Sequence, residues 1–337
     1  MNGWVVSLCV ACCCVSGCFR MGFDDRGQQM GVTDAADSRP GDGEASDAAM
    51  AAIQVSQLGV IWSTPNTIRW RWKADGQAAR FKAYTLVVAA SEADVLGRGP
   101  SARVWTAVDN PELGQFTLPN TSANDPVLST ITDLHQPDTT YHAQLIATDV
   151  DGRTSTSQVA TGRTIPPSKN QQVLFTEQNT AGYSIPASLQ YTKDSSKAYQ
   201  GSYYYSYLSS CTGGETQCFE NLRRQGLAIS LASISAQDLA STAYYEVAVA
   251  CQGAPSYWSQ ARLMFGASGN ATLWLNGGWT LRCDDAYRLL QIPLRFFDNA
   301  GQPLPVSELG RNLYEFNVGG DWSDGARVRV DEVRIRW

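Results

Sequence analysis

The sequence predicts an all-β protein built from two successive antiparallel sandwiches. Three observations carry that expectation. Short runs alternate apolar and polar residues, as in "TIRWRW", where Ile68, Trp70 and Trp72 would share one face and Arg69 and Arg71 the other. Turn signals such as "ADG", "GRGPS", "QPDT" and "DVDG" separate the runs. From Val173 onward the chain again reads as strands, with no convincing long helix. Composition agrees. Of 337 residues, 43% are hydrophobic, enough for real cores in two ordinary domains, and only 17% are charged. With plentiful Gly, Ser, Thr and Tyr, that balance reads as extracytoplasmic β material. The net charge of −6 leaves no electrostatic footprint for nucleic acid.

The chain opens on "WVVSLCVACCCVS", residues 4 to 16, which carry no charge. The stretch is too short to cross a bilayer, which takes about 20 apolar residues, and it matches the apolar part of a secretory signal. It runs into "VSGC", Val15 to Cys18, which resembles a bacterial lipobox. The resemblance implies that residues 1–18 are a lipoprotein signal with its modified cysteine, and that Cys18 starts the mature chain with acyl chains attached. Cys9, Cys12, Cys13 and Cys14 would leave with the signal. "MNGW" lacks the usual Lys or Arg before the apolar run. A zinc site here is disfavoured, because zinc needs ligand pairs on separate elements around a tetrahedron. Each buried methylene adds about 0.8 kcal/mol of membrane affinity, so a multiply acylated Cys18 would anchor the chain permanently. Phe19, where sorted lipoproteins can carry Asp, leans the same resemblance toward the outer membrane.

Residues 19–52 are dominated by Gly, Asp, Ala and Ser and show no apolar period. Such a segment cannot offset its ordering entropy and reads as a disordered tether. As a coil it would span roughly 30–35 Å.

Residues 53–166 form the first sandwich. "PDTTYHAQLIATDVDG" is similar to the second half of a fibronectin type III domain. Pro137, Thr139 and Tyr141 match the approach to its tyrosine corner, Ala143, Leu145 and Ala147 the inward positions of the next strand, and Gly152 the turn that follows. Trp72 and Tyr84 match earlier core positions. The resemblance implies a structural Tyr141 whose hydroxyl bonds back to the backbone. The chain's two histidines, His135 and His142, flank this corner and read as surface residues. The stretch from Ser91 to Val127 is longer and less regular than the family's middle.

"TIPPSKNQQ", Thr164 to Gln172, reads as a short hinge, stiffened by its two prolines. Residues 167–337 follow. Their strand order, with Phe175 and Glu177 near the start, "GSYYY", "DLASTAYYEVAVA", "LLQIPLRFF" and the closing "RVRVDEVRI", resembles the galactose-binding-like jelly rolls found among carbohydrate-binding modules. That resemblance implies a possible structural calcium where the first and last strands meet, with Glu177 and Asp331 at the matching positions. Hard carboxylate oxygens suit that ion.

Cys211, Cys218, Cys251 and Cys283 all lie in this second segment. An even count in an exported protein implies disulfides, and four cysteines allow three connectivities. "CTGGETQC" can close on itself through its Gly-Gly turn, and the expected pairs are Cys211–Cys218 and Cys251–Cys283. The segment is also crowded with Tyr and Trp. Sugar rings present C–H faces that aromatic rings cover, and hydroxyls that planar amides, carboxylates and Arg forks bind. Strand alternation sends about half of these aromatics into a core. The expected exposed set is Trp258, Trp279 and Trp322, with Arg282 and Asp284 as polar partners. No catalytic residue is expected. The second segment contains no His, and nothing in the sequence places a carboxylate pair such as Glu246 and Asp285 for glycoside chemistry. The expected function is that of a non-catalytic cell-envelope lipoprotein that binds carbohydrate through its jelly roll, with the fibronectin-like domain as spacer. The alternatives are a structural or adhesive envelope protein that binds other proteins, and an accessory component of a polysaccharide-degrading system.

Overall fold

The computed structural model describes residues 53–116, 128–175, 183–184, 189–193, 195–196, 198–200, 203–208, 218–224, 227–253, 256–266, 272–276, 279–299, 301–322 and 327–337. Cys18, Glu177 and Cys211, and residues 1–52 as a whole, lie outside them. Among the described residues no helix is long and apolar enough to cross a membrane.

The protein is all-β, as expected. Its first eight strands are β1 (Gln54–Ser63), β2 (Ile68–Asp75), β3 (Phe81–Ala89), β4 (Arg103–Trp105), β5 (Leu128–Thr132), β6 (Thr140–Asp149), β7 (Thr154–Thr156) and β8 (Ala160–Arg163). They make two sheets, ordered β1-β2-β5 and β4-β3-β6-β7, with β8 also on β6. This is an immunoglobulin-like sandwich. The alternation in "TIRWRW" works as expected. Ile68, Trp70 and Trp72 are buried in the core, where Trp72 packs edge-on to Tyr84 at 5.3 Å. Leu86 and Leu145 close the other side. Gly162 on β8 lies so close to β1 and β2 that a Cβ there would meet Val60 Cγ2 at 2.8 Å.

The tyrosine corner forms as the resemblance implied. The Gln136 backbone N–H donates to the Tyr141 hydroxyl at 2.8 Å. The reading of His135 as a surface residue is overturned. Its ring is 5% exposed, lies 4.3 Å from the Tyr141 ring, and shares a 2.7 Å hydrogen bond between Nε2 and Thr132 Oγ1. Burial, with Arg103 nearby, pushes its pKa down to about 4. The irregular middle contains α1 (Glu92–Gly97), capped by the Ser91 hydroxyl, and β4. Val95 of α1 covers Val87, Ala89 and Ile146 on the outer face of the β3–β6 pair.

The remaining strands are β9 (Gln171–Phe175), β10 (Tyr183–Ser184), β11 (Leu189–Lys193), β12 (Tyr203–Leu208), β13 (Cys218–Arg224), β14 (Ile229–Ser230), β15 (Tyr244–Gln252) and β16 (Ser256–Phe265). They continue with β17 (Thr272–Asn276), β18 (Trp279–Arg282), β19 (Arg288–Pro293), β20 (Phe297–Asn299), β21 (Gln302–Pro303), β22 (Asn312–Trp322) and β23 (Arg327–Arg336). One sheet runs β11-β12-β23-β15-β19, with β9 also on β23. The other runs β10-β13-β22-β16-β17-β20-β21, with β14 on β22 and β18 on β16. Between them lies a second core that includes Tyr245, Val247, Leu263, Phe316 and Ile335. The first strand pairs with the last, Phe175 opposite Val333, as in a jelly roll. α2 (Ala236–Ser241) leads into β15 and starts with a capping box between Ser235 and Asp238.

Thr164 to Gln172 is not a free hinge. Asn170 and Trp337 exchange backbone hydrogen bonds at 3.0 and 3.1 Å, and the Ile165 N–H donates to the Thr64 carbonyl. The two sandwiches also bond side chain to side chain. The buried Gln291 of β19 accepts at Oε1 from Thr64 Oγ1 (2.8 Å) and from the Asn66 N–H (3.1 Å). Its amide nitrogen donates to Glu246 at 2.8 Å and to Asn66 Oδ1 at 3.3 Å. Trp62 meets Phe296, with ring centroids 6.3 Å apart. The first sandwich is therefore docked against its neighbour.

Candidate functional site

The structure brings the three expected tryptophans to one end of a single sheet. Trp258 on β16 is registered against Asp321 of β22 and Thr280 of β18. Trp322 follows Asp321 on β22, and Trp279 precedes Thr280 on β18. Each is thus one residue from a position paired with Trp258, so strand alternation gives Trp279 and Trp322 positions on one face of the sheet and Trp258 a position on the other, and they lie 21 and 64 residues from it in sequence. Antiparallel pairing alone achieves this, because β16 lies between β22 and β18 at that end.

Arg282 closes β18 opposite Ser256, and its Nε lies 3.5 Å from Asp284 Oδ2. Asp284 also receives Arg288 at 3.3 Å, and Arg288 lies 3.8 Å from Asp133 of the first sandwich. Arg282 and Asp284 thus belong to a partly exposed ionic chain that runs from the tryptophan end to the junction. Such partly exposed pairs contribute at most about 1 kcal/mol each, so their main effect is on geometry.

The expected Cys251–Cys283 disulfide is present and ties β15 to the residue after β18. The loop-entropy relation gives it about 3.7 kcal/mol as an upper value. Cys218 opens β13 opposite Trp322, and its expected partner Cys211 lies outside the described residues.

Asp331 sits at a β-bulge. Between the pairs Glu246–Arg334 and Ala248–Asp331, β23 carries one more residue than β15, and Glu332 adopts φ 49°. The extra residue, Glu332, lets Val330 and Val333 both stay in the core, so Asp331 and Glu332 fall together between them. Asp331 is fully buried. Oδ2 accepts the N–H groups of Tyr199 (3.0 Å) and Gln200 (3.2 Å), and Oδ1 has no hydrogen-bond partner. Burial raises its pKa to about 6, against the opposing pull of those backbone bonds. A buried carboxylate with one unsatisfied oxygen, two residues from Val333, which pairs with Phe175 of β9, fits a hard cation. Glu177 lies outside the described residues, and among these no cluster of three or more His, Cys, Asp or Glu forms a metal site.

No known family profile and no curated protein matches the chain. Among solved structures it is similar to a xylan-binding domain (13% identity, TM-score 0.29, 50% of this chain and 94% of that one). It is also similar to a family 30 carbohydrate-binding module of a cellulosomal cellulase of Clostridium thermocellum (12%, TM-score 0.35, 49% and 96%). A third is a family 11 carbohydrate-binding module from the same organism, in complex with a mixed-linked tetrasaccharide (7%, TM-score 0.33, 49% and 95%).

Sequence reasoning missed a polar ladder on the outer face of the β23-β15-β19 sheet. Tyr245, Val247, Leu290, Ile292, Val333 and Ile335 point into the core, so Glu246, Gln291, Arg334 and Arg336 project from the other side. Glu246 accepts from Arg336 Nε at 2.8 Å and lies 3.7 Å from Arg334, which also pairs with Glu332. The signal was one polar residue set in an apolar run, Glu246 in "YYEVAVAC" and Gln291 in "LLQIPL".

Proposed function

We propose that this is a non-catalytic cell-envelope lipoprotein that binds carbohydrate through the second sandwich. The observation that carries the reading is that the positions of Trp258, Asp321 and Arg282 share the outer face at one end of the β22-β16-β18 group, because Ala261, Leu263 and Phe265 of β16 face the core. Aromatic platforms beside planar polar groups are the surface that sugar rings require. The proposed anchor is acylated Cys18, the proposed tether is residues 19–52, and the outer membrane is the proposed site. Residues 53–166 act as a bracket of fibronectin type III type, bonded to the binding part. Glu246 and Asp285, the carboxylates weighed for glycoside chemistry, each already hold an arginine, whereas a general-acid carboxyl works from apolar surroundings.

A polysaccharide array tests this. Saturable binding by the full chain, lost in Trp258→Ala with an unchanged melting temperature, is the expected result. Silence on the array with specific co-purification of envelope proteins would overturn it in favour of an adhesive role.

The same reading includes a structural calcium held by Asp331 and Glu177. Its support is the unsatisfied, buried Asp331 Oδ1. A chelator should lower the melting temperature of the natural chain at neutral pH and leave that of Asp331→Asn unmoved. An unaffected natural chain removes the ion.

A further inference from the structure

Where the first sandwich docks on the polar ladder, the fit is incomplete. A 260 Å³ cleft remains, with Asn66, Pro65 and Pro137 on one side, Tyr199, Gln200 and Tyr244 on the other, and Glu246, Gln291, Glu332, Arg334 and Arg336 at its base. We propose that this cleft is a second ligand site, for one ring of a neutral polyhydroxylated ligand, a pyranose, and that it exists only because the two sandwiches are joined. It does not rest on the tryptophans, which belong to the other sheet of the second sandwich.

Four observations lead to that ligand class. The base carries two glutamates and two arginines, which pair with each other and leave no net charge to select an ion. Those groups are planar and hydrogen-bonding, the chemistry that reads vicinal hydroxyls. One donor is spare, since the buried Arg334 Nε has no hydrogen-bond partner. The walls are flat and apolar. Pro65, Pro137 and Pro167 line one flank, and Tyr199, 37% exposed and 5.5 Å from the Tyr287 ring, offers a face on which C–H bonds can pack.

Size and rigidity limit the ligand further. Sites for drug-sized molecules run from about 300 Å³ upward, so this cleft takes a single ring or a chain end. The walls are held in place beforehand. Both polar atoms of the Gln291 amide are committed, to Thr64, Asn66 and Glu246, and Asn66 Nδ2 donates to the His135 carbonyl at 2.9 Å. Binding therefore does not have to order these groups.

Calorimetry of the full chain in detergent, with the methyl pyranosides of glucose, galactose, mannose and xylose as probes, tests the site. At least one probe should bind saturably at one site. Tyr199→Ala, which removes an exposed ring, and Leu289→Trp, which fills the cleft, should each weaken it by about tenfold or more. Trp258→Ala should leave it unchanged. No saturable binding of any probe overturns the proposal, as does binding equal in both cleft variants. Binding lost only in Trp258→Ala overturns the cleft and leaves the tryptophan site standing. Loss of polysaccharide binding in Trp258→Ala, with the pyranoside intact, shows two separate sites.

Discussion

The two sandwiches cover the outer face of a sheet in opposite ways. On β3 and β6 of the first, that face carries an apolar patch of Val87, Ala89 and Ile146, and Val95 of α1 seals it with almost no exposed surface. On β15, β19 and β23 of the second, the corresponding face carries Glu246, Gln291, Arg334 and Arg336, and the cover is the whole first sandwich. Apolar side chains close-pack without direction, so their cover leaves no gap. Charged and amide groups need partners at fixed distances and angles, so their cover meets them only where a partner is available. Gln291 finds Thr64 and Asn66, and between that contact and Pro167 the cleft stays open. The difference shows that room for a ligand arises where polar surface is covered but not sealed.

The largest expected effect lies in the first core. Trp70 is fully buried and donates its indole N–H to Thr132 Oγ1 at 2.9 Å, so Trp70→Ala should cost about 3–5 kcal/mol in chemical denaturation. A cost below about 1 kcal/mol would mean that this core is not sealed as described.

Acid should separate the two halves by sign. His135, with its pKa lowered to about 4, is held neutral in the fold. The stability it contributes is complete above its ordinary value near 6.5 and declines as pH falls from there toward 4, by up to about 3 kcal/mol. In the chain freed of calcium by a chelator, Asp331, raised to about 6, acts oppositely, since the folded chain holds the proton that the unfolded chain releases. Its contribution grows as pH falls from 6 toward the ordinary carboxyl value. Melting curves in chelator from pH 7 to pH 4 should fall less steeply for His135→Gln than for the natural chain, and more steeply for Asp331→Asn. Parallel curves would refute both assignments.

Gln291→Leu sharpens the comparison at the junction. It strips partners from Thr64, the Asn66 N–H and Glu246, at about 1–3 kcal/mol for each group left unsatisfied. Calorimetric unfolding should then split from one transition into two as the sandwiches uncouple. Retention of one transition at the same temperature would show that the apolar contacts, Trp62 on Phe296 among them, hold the junction alone. The smallest change should come from Val95→Ala, about 1–2 kcal/mol for the lost methyl groups under α1. No loss there would mean that the apolar cover is dispensable.

Much of the fold was legible because strand alternation is a local property. Ile68, Trp70 and Trp72 announced their face within five residues, and Tyr141 its corner through the turn before it. His135 was misread because its burial comes from Tyr141 and Trp105, which approach from separate strands. At the tryptophan end, the residue types were visible and their proximity was not. Trp279 and Trp322 are neighbours of Trp258 only through the register of β18 and β22 on β16.

By itself the sequence determined the all-β class and the two cores, and offered the Cys251–Cys283 bridge as one of three pairings, because alternation, turn chemistry and cysteine count act over a few residues or through covalent options. Only the tertiary structure decided that the prolines of Thr164 to Gln172 lead into a docked junction rather than a hinge, and that Asp331 is buried with one oxygen unpaired. The physical reason is that hydrogen-bond satisfaction is settled between partners distant in sequence. Gln291 and Thr64 are 227 residues apart, and no local pattern records that they meet.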